Sequence, residues 1–166
     1  MVQTSPCLHV LLDSLTKISR FPRVRSPLMS PNRRSLKFYQ ADVFTDLPFG
    51  GNPVAVFPDA LGLSDEELQH IAREMNLSET VFVFPPSNQA TVARLRIFTP
   101  LKEIPFAGHP VLGTFFVLGT LGLLPLKEPL TVLWHECAIG MFPVEIHVHQ
   151  REVSKVVMSQ PKPEFL

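Results

Sequence analysis

One stretch of this sequence dictates what the rest must do. Opened by Gly108 and Pro110 and continuing through Val111, Leu112, Phe115, Phe116 and Leu118, it fits a buried helix beginning near His109. Pro110 falls at an early helical position, where a missing N–H costs no helical hydrogen bond. A buried helix needs cover on all sides, and most of the surrounding sequence reads as strand. Apolar or alternating runs lie at 37–44, 53–57, 79–84, 91–98, 131–134, 141–149 and 152–158. They are punctuated by Gly50-Gly51-Asn52, Pro85-Pro86-Ser87-Asn88, Pro129, Gly140, Pro143 and Gln150-Arg151. The runs at 79–84 and 91–98, joined by a turn, are expected to pair antiparallel.

A second helix is predicted over 65–75. Ser64 and Glu67 form a capping box ahead of Leu68, Ile71, Ala72 and Met75, whose spacing makes one apolar stripe suited to covering a sheet. Acidic residues in its first turn complement the helix dipole. Few helices and many strands predict an α+β lobe in which a curved, mostly antiparallel sheet is wrapped around a central helix, the one after His109.

A chain of 166 residues with 45% hydrophobic content suits one domain with a genuine core. No apolar run reaches the roughly 18 to 20 residues of a spanning helix. The best candidate, 111–124, is short and broken by glycines. Net charge is zero, yet residues 1–37 hold seven of the fifteen basic residues and only one acid, Asp13. The remainder carries eight basic and fourteen acidic residues. Such a body offers nucleic acid no concentrated basic face, so a small-molecule partner is expected, and neither nucleic acid nor membrane.

Residues 1–35 are rich in Ser, Pro and Arg and show no sustained period, so they are excluded from the fold and the lobe is placed at 36–166. They read as a disordered extension or a mis-assigned start with Met29 as initiator, or alternatively as an organelle transit peptide. Cys7 and Cys137 provide neither a disulfide framework nor a metal-ligand spacing. The expected location is therefore the cytoplasm, or an organelle if the leader is a transit peptide. His135, His147 and His149 lack close carboxylate or thiol companions and read as strand or surface residues. Asp42 and Asp46 flank a turn, where aspartate is commonplace, and no metal is expected.

Three motifs remain: Phe49-Gly50-Gly51-Asn52-Pro53-Val54-Ala55-Val56-Phe57, Asn76-Leu77-Ser78-Glu79-Thr80-Val81-Phe82-Val83, and Arg96-Ile97-Phe98-Thr99-Pro100 running on to Phe106-Ala107-Gly108-His109-Pro110. In this order and spacing they closely resemble the phenazine-biosynthesis PhzF-like family of the diaminopimelate-epimerase fold, over about Leu36 to the C-terminus. The resemblance implies a diaminopimelate-epimerase-like, hotdog-like half-barrel. It also implies a cofactor-independent isomerase that moves a proton between carbons of a small carboxylated metabolite, without pyridoxal phosphate, metal or nucleotide.

On that resemblance Glu79 matches the catalytic glutamate. A carboxylate between Leu77, Val81 and Phe82 would be partly desolvated and suited to taking a proton from one carbon and returning it to another on the same face. Read without the resemblance, Glu79 is an exposed strand-end residue. His109 and Gly108 would bind the anionic end of a substrate at a helix start, although a lone histidine there is equally a capping side chain. Ser78 and Asn52 are weaker substrate-binding candidates, each also explained by turn or strand-end hydrogen bonding. Racemases of the same fold place a cysteine where this chain has Ala107, so a two-thiol mechanism is not expected. Cys137 is read instead as a buried structural thiol.

The resemblance further implies two facing lobes, of which only the first is present before the sequence ends at Leu166. The alternative to an isomerase is accordingly a catalytically incomplete lobe acting as an interaction or assembly module. Its exposed apolar face would drive formation of a homodimer or contact with the missing second lobe.

Overall fold

A computed structural model gives the architecture and describes residues 2–4 and 35–160. In chain order the elements are β1 (Val2–Thr4), β2 (Tyr39–Val43), β3 (Asn52–Phe57), α1 (Asp65–Met75), β4 (Glu79–Phe84), β5 (Ala93–Phe98), β6 (Glu103–Ile104), α2 (Gly108–Thr120), β7 (Leu130–Cys137), β8 (Gly140–His149) and β9 (Glu152–Met158). All strands belong to one sheet in the order β1-β9-β8-β7-β5-β4-β3-β2, with β6 beside β5. Only β3–β4 and β5–β7 pair parallel; the other pairs are antiparallel. The expected α+β lobe with a mostly antiparallel curved sheet around a central helix is what forms.

The central helix is α2. Every residue from Pro110 to Leu118 is buried. It packs against β2, β3, β4, β8 and β9, and its Val111, Leu112, Phe115 and Val117 join Val54, Val81, Leu95, Ile146 and Val156 in one core. Each such fully buried side chain contributes about 1.5–3 kcal/mol. Close approach requires Gly113: a Cβ there would lie 2.5 Å from Val54 Cγ1 and 3.0 Å from Val43 Cγ2.

On the opposite face of the sheet α1 covers a second core of Phe57, Leu68, Ala72, Phe82, Phe84 and Phe98. Phe82 stacks on Phe57 at 5.0 Å between ring centroids and meets Phe98 edge-on at 5.5 Å. The capping box closes as expected, with Glu67 N–H donating to Ser64 Oγ at 3.2 Å and Ser64 N–H to Glu67 Oε2 at 2.8 Å. Asn76 ends α1 in the left-handed conformation at φ 51°.

Some expectations are revised. The strand expected at 131–134 extends to Cys137, because β8 pairs with it as far as Cys137 opposite Gly140. His135 and Glu136 interrupt the apolar pattern in sequence yet are buried in the fold. The Glu136 carboxylate accepts hydrogen bonds from the N–H groups of Ser87 (3.0 Å) and Asn88 (2.9 Å) and from the hydroxyls of Ser87 and Thr91, clasping the β4–β5 turn to β7. Cys137 is half-buried rather than buried, and burial raises its thiol pKa. Val2–Thr4, inside the segment set aside as a leader, pair with β9; the rest of that expectation lies outside the described residues. Among the described residues no helix is long and apolar enough to cross a membrane.

Candidate functional site

Parallel pairing of β3 with β4 sets Val54 opposite Glu79, so Asn52, Ser78 and Glu79 gather where both strands begin. The first turn of α2 reaches the same end of the sheet. There His109 Nε2 lies 3.2 Å from Glu79 Oε2, with both side chains largely buried. On the other side of the ring, Asn52 Nδ2 lies 3.2 Å from His109 Nδ1. Ser78 Oγ lies 3.4 Å from Asn52 Oδ1 and 3.3 Å from the Pro53 carbonyl oxygen, and its single hydroxyl proton serves one of them at a time. All four polar side chains singled out in the sequence therefore form one chain of contacts: Ser78, Asn52, His109, Glu79.

Burial pushes the His109 pKa down, an effect only partly opposed by the Glu79 charge and by the Pro53 backbone. The shift favours the neutral imidazole beside Glu79. Glu79 Oε2 and His109 Nε2 are both buried, and neither has an aligned hydrogen-bond partner among the described residues. A buried polar atom left without an aligned partner is costly unless another group satisfies it.

Gly108 is the first residue of α2, and Ala107, at the N-cap, supplies no side-chain acceptor. The first-turn N–H groups thus carry the positive end of the helix dipole without a side-chain cap from that position. A Cβ on Gly108 would sit 2.6 Å from Gln160 Nε2, so the end of the described chain returns to this helix start. Nothing in the local sequence signals that return.

The β2–β3 loop forms one wall. Phe44 sets its ring 6.4 Å from that of His109 and adopts φ 68°, and Phe49 adopts φ 61°. Bulky residues rarely occupy this region, and the strain is of order 1–2 kcal/mol each. The Asp42 carboxylate accepts the Phe49 N–H at 2.9 Å, which makes Asp42 a clasp for this loop. At Gly51 a Cβ would lie 2.4 Å from the Val43 carbonyl oxygen, so only glycine lets the loop close there. Phe44, Leu47 and Phe49 of this loop are exposed. A cavity of about 440 Å³ lies elsewhere, lined by residues including Leu36, Tyr39, Leu61, Leu121 and Leu123, and shares none of them with the Glu79–His109 group.

The model of a family described as phenazine biosynthesis-like protein matches residues 41–165. Trans-2,3-dihydro-3-hydroxyanthranilate isomerase of Pseudomonas aeruginosa is 42% identical over 127 residues, covering 76% of this chain and 43% of the relative. An uncharacterized isomerase of Pasteurella multocida is 45% identical over 117 residues, covering 67% of this chain and 40% of the relative. Among solved structures, a phenazine biosynthesis protein of Bacillus anthracis superposes with a TM-score of 0.63 at 35% identity, over 74% of this chain and 40% of that one. A probable proline racemase from Agrobacterium radiobacter shares the fold at 17% identity, with a TM-score of 0.55. The chain spans about two fifths of the length of these curated relatives.

Proposed function

Because the chain belongs to the phenazine biosynthesis-like family, we propose that it carries the acid/base half of a cofactor-independent isomerase. Glu79 is the proton shuttle and His109 its neighbouring hydrogen-bond donor. The observation that supports this reading is the convergence of Glu79 Oε2 and His109 Nε2 at 3.2 Å, both buried and both without an aligned partner among the described residues. A substrate C–H above Glu79 gives its proton to the carboxylate. The electrons left on carbon delocalise toward an adjoining carbonyl or carboxyl oxygen, which His109 Nε2–H and the N–H groups at the start of α2 stabilise. Return of the proton to a different carbon on the same face completes the isomerisation and restores the carboxylate.

The substrate class follows from those donors. A small metabolite with a carboxylate fits the uncapped start of α2, and an unsaturated ring fits the Phe44 wall. The Pseudomonas relatives are named for an isomerase of trans-2,3-dihydro-3-hydroxyanthranilate, a molecule of this class and the first to try. Glu79→Gln keeps the shape and hydrogen bonding of the side chain but cannot accept a proton from carbon. Its turnover should fall by about 10²–10⁴-fold with thermal unfolding unchanged. A variant as active as the parent would overturn the assignment.

A second reading, an interaction or assembly module, is favoured by the exposed Phe44, Leu47 and Phe49 of the β2–β3 loop. It predicts concentration-dependent self-association by sedimentation, with no Glu79-dependent chemistry at any association state.

A further inference from the structure

We infer that Asn52 is a positioning residue that holds the ring proton of His109 on Nε2, so that His109 faces the substrate as a hydrogen-bond donor and not as a second base. This rests on the reading of the site given above and assigns Asn52 a task other than substrate contact.

A neutral imidazole has one donor nitrogen and one acceptor nitrogen, and its neighbours decide which is which. Asn52 Nδ2, which can only donate, stands 3.2 Å from His109 Nδ1. It is satisfied there only if Nδ1 is bare, which leaves the proton on Nε2. Ser78 is placed to support this orientation, because its hydroxyl reaches Asn52 Oδ1 at 3.4 Å as an alternative to the Pro53 carbonyl.

Rotating the amide by half a turn would place Oδ1 against a protonated Nδ1, and Ser78 could then accept from Nδ2 while donating to the Pro53 carbonyl. Glu79 breaks the tie. In the state that accepts a proton from carbon, Glu79 is a carboxylate 3.2 Å from Nε2. In the rotated arrangement a bare Nε2 would set a lone pair against that anion in a buried site, where water does little to screen the repulsion. With the proton on Nε2, the same contact becomes attractive and leaves the donor free to swing onto an oxygen developing negative charge. The Pro53 backbone also hydrogen-bonds the ring, and a ring proton given to its carbonyl from Nδ1 would favour the other tautomer.

The consequence is a division of labour. His109 cannot take a proton from carbon through Nε2, so Glu79 alone moves it. Asn52 also restrains the ring, since its amide holds the Nδ1 edge while the Nε2 edge faces Glu79.

Nitrogen NMR of the full chain labelled with ¹⁵N-histidine reads this directly, with His109→Gln used to assign the resonances among the six histidines. At neutral pH the expected spectrum shows a bare, pyridine-like Nδ1 and a protonated Nε2. Asn52→Asp, which offers an acceptor in place of the donor, should move protonation onto Nδ1, and Asn52→Ala should give a mixture of tautomers. A protonated Nδ1 in the parent protein would show that the Pro53 carbonyl wins and would overturn the inference. So would a tautomer unaltered by both substitutions in folded protein. The measurement needs no turnover, so a failed isomerase assignment and a failed tautomer assignment are told apart.

Discussion

Glu79 opens a strand and His109 sits in the first turn of a helix, yet their Oε2 and Nε2 atoms meet at 3.2 Å. No local rule brings them together. The contact depends on β3 pairing parallel to β4, which places Glu79, and on how deeply α2 sits inside the curved sheet, which places His109.

Gly113 controls that depth. A valine there would drive its Cβ to within 2.5 Å of Val54 Cγ1, lifting α2 away from β2 and β3. Gly113→Val is expected to cost about 1–3 kcal/mol in urea unfolding. The same shift draws His109 off Asn52 and Glu79, so any turnover falls further than the fraction unfolded explains. Unchanged stability would mean that the helix can move outward freely and that its depth is not set here.

Glu136 is the clasp between the β4–β5 turn and β7. Four donors, the N–H groups of Ser87 and Asn88 and the hydroxyls of Ser87 and Thr91, hold its carboxyl pKa down to about 2, the side-chain hydroxyls contributing most. Its folded pKa is lower than its unfolded value, so the stabilisation is complete above about pH 4.5 and drains away as pH falls toward about 2. Glu136→Gln should destabilise the chain by roughly 2 kcal/mol at neutral pH, the scale of hydrogen bonds to a charged acceptor. Parent and variant should then converge in urea midpoint toward pH 2.

His135 behaves in the same sense for a different reason. It is fully buried beside Phe115 and Phe142. Loss of hydration pushes its pKa down to about 4, partly offset by the Phe142 backbone. The unfolded chain therefore binds the proton more readily. Stability from a neutral His135 is complete above about pH 6.5 and is lost as pH falls from there to about 4, by as much as roughly 3 kcal/mol. His135→Leu removes the titrating group and should flatten the stability profile between those limits. An unaltered slope would place the acid sensitivity elsewhere.

Much of the fold was readable because its signals are local. Ser64 and Glu67 are three residues apart and mark the start of α1 without reference to anything distant. The run from Val111 to Leu118 can be satisfied only by burial on every side, and that demand implies the wrapping sheet. The strand at Leu130–Cys137 was underestimated because His135 and Glu136 look like surface residues until their distant partners are known.

The candidate site is legible in the sequence as a set of residues but not as a geometry. Glu79, His109, Ser78 and Asn52 stood out through their motifs, whereas the Asn52–His109 contact spans 57 positions and follows from parallel strand pairing that no spacing rule announces. In the sequence Phe44 reads as the last apolar residue of the strand run at 37–44, whereas the strand ends at Val43 and Phe44 turns toward His109 on a left-handed backbone angle; Gln160 reaches Gly108 only through the closed fold.

Proton transfer by Glu79 is the step on which the proposed reaction depends. A carboxylated candidate substrate such as trans-2,3-dihydro-3-hydroxyanthranilate, incubated with the chain in deuterated water and followed by NMR, reads it directly. Deuterium should enter at the carbons that exchange the proton, and Glu79→Gln should abolish incorporation while its unfolding midpoint stays that of the parent. Incorporation that persists in folded Glu79→Gln would contradict it.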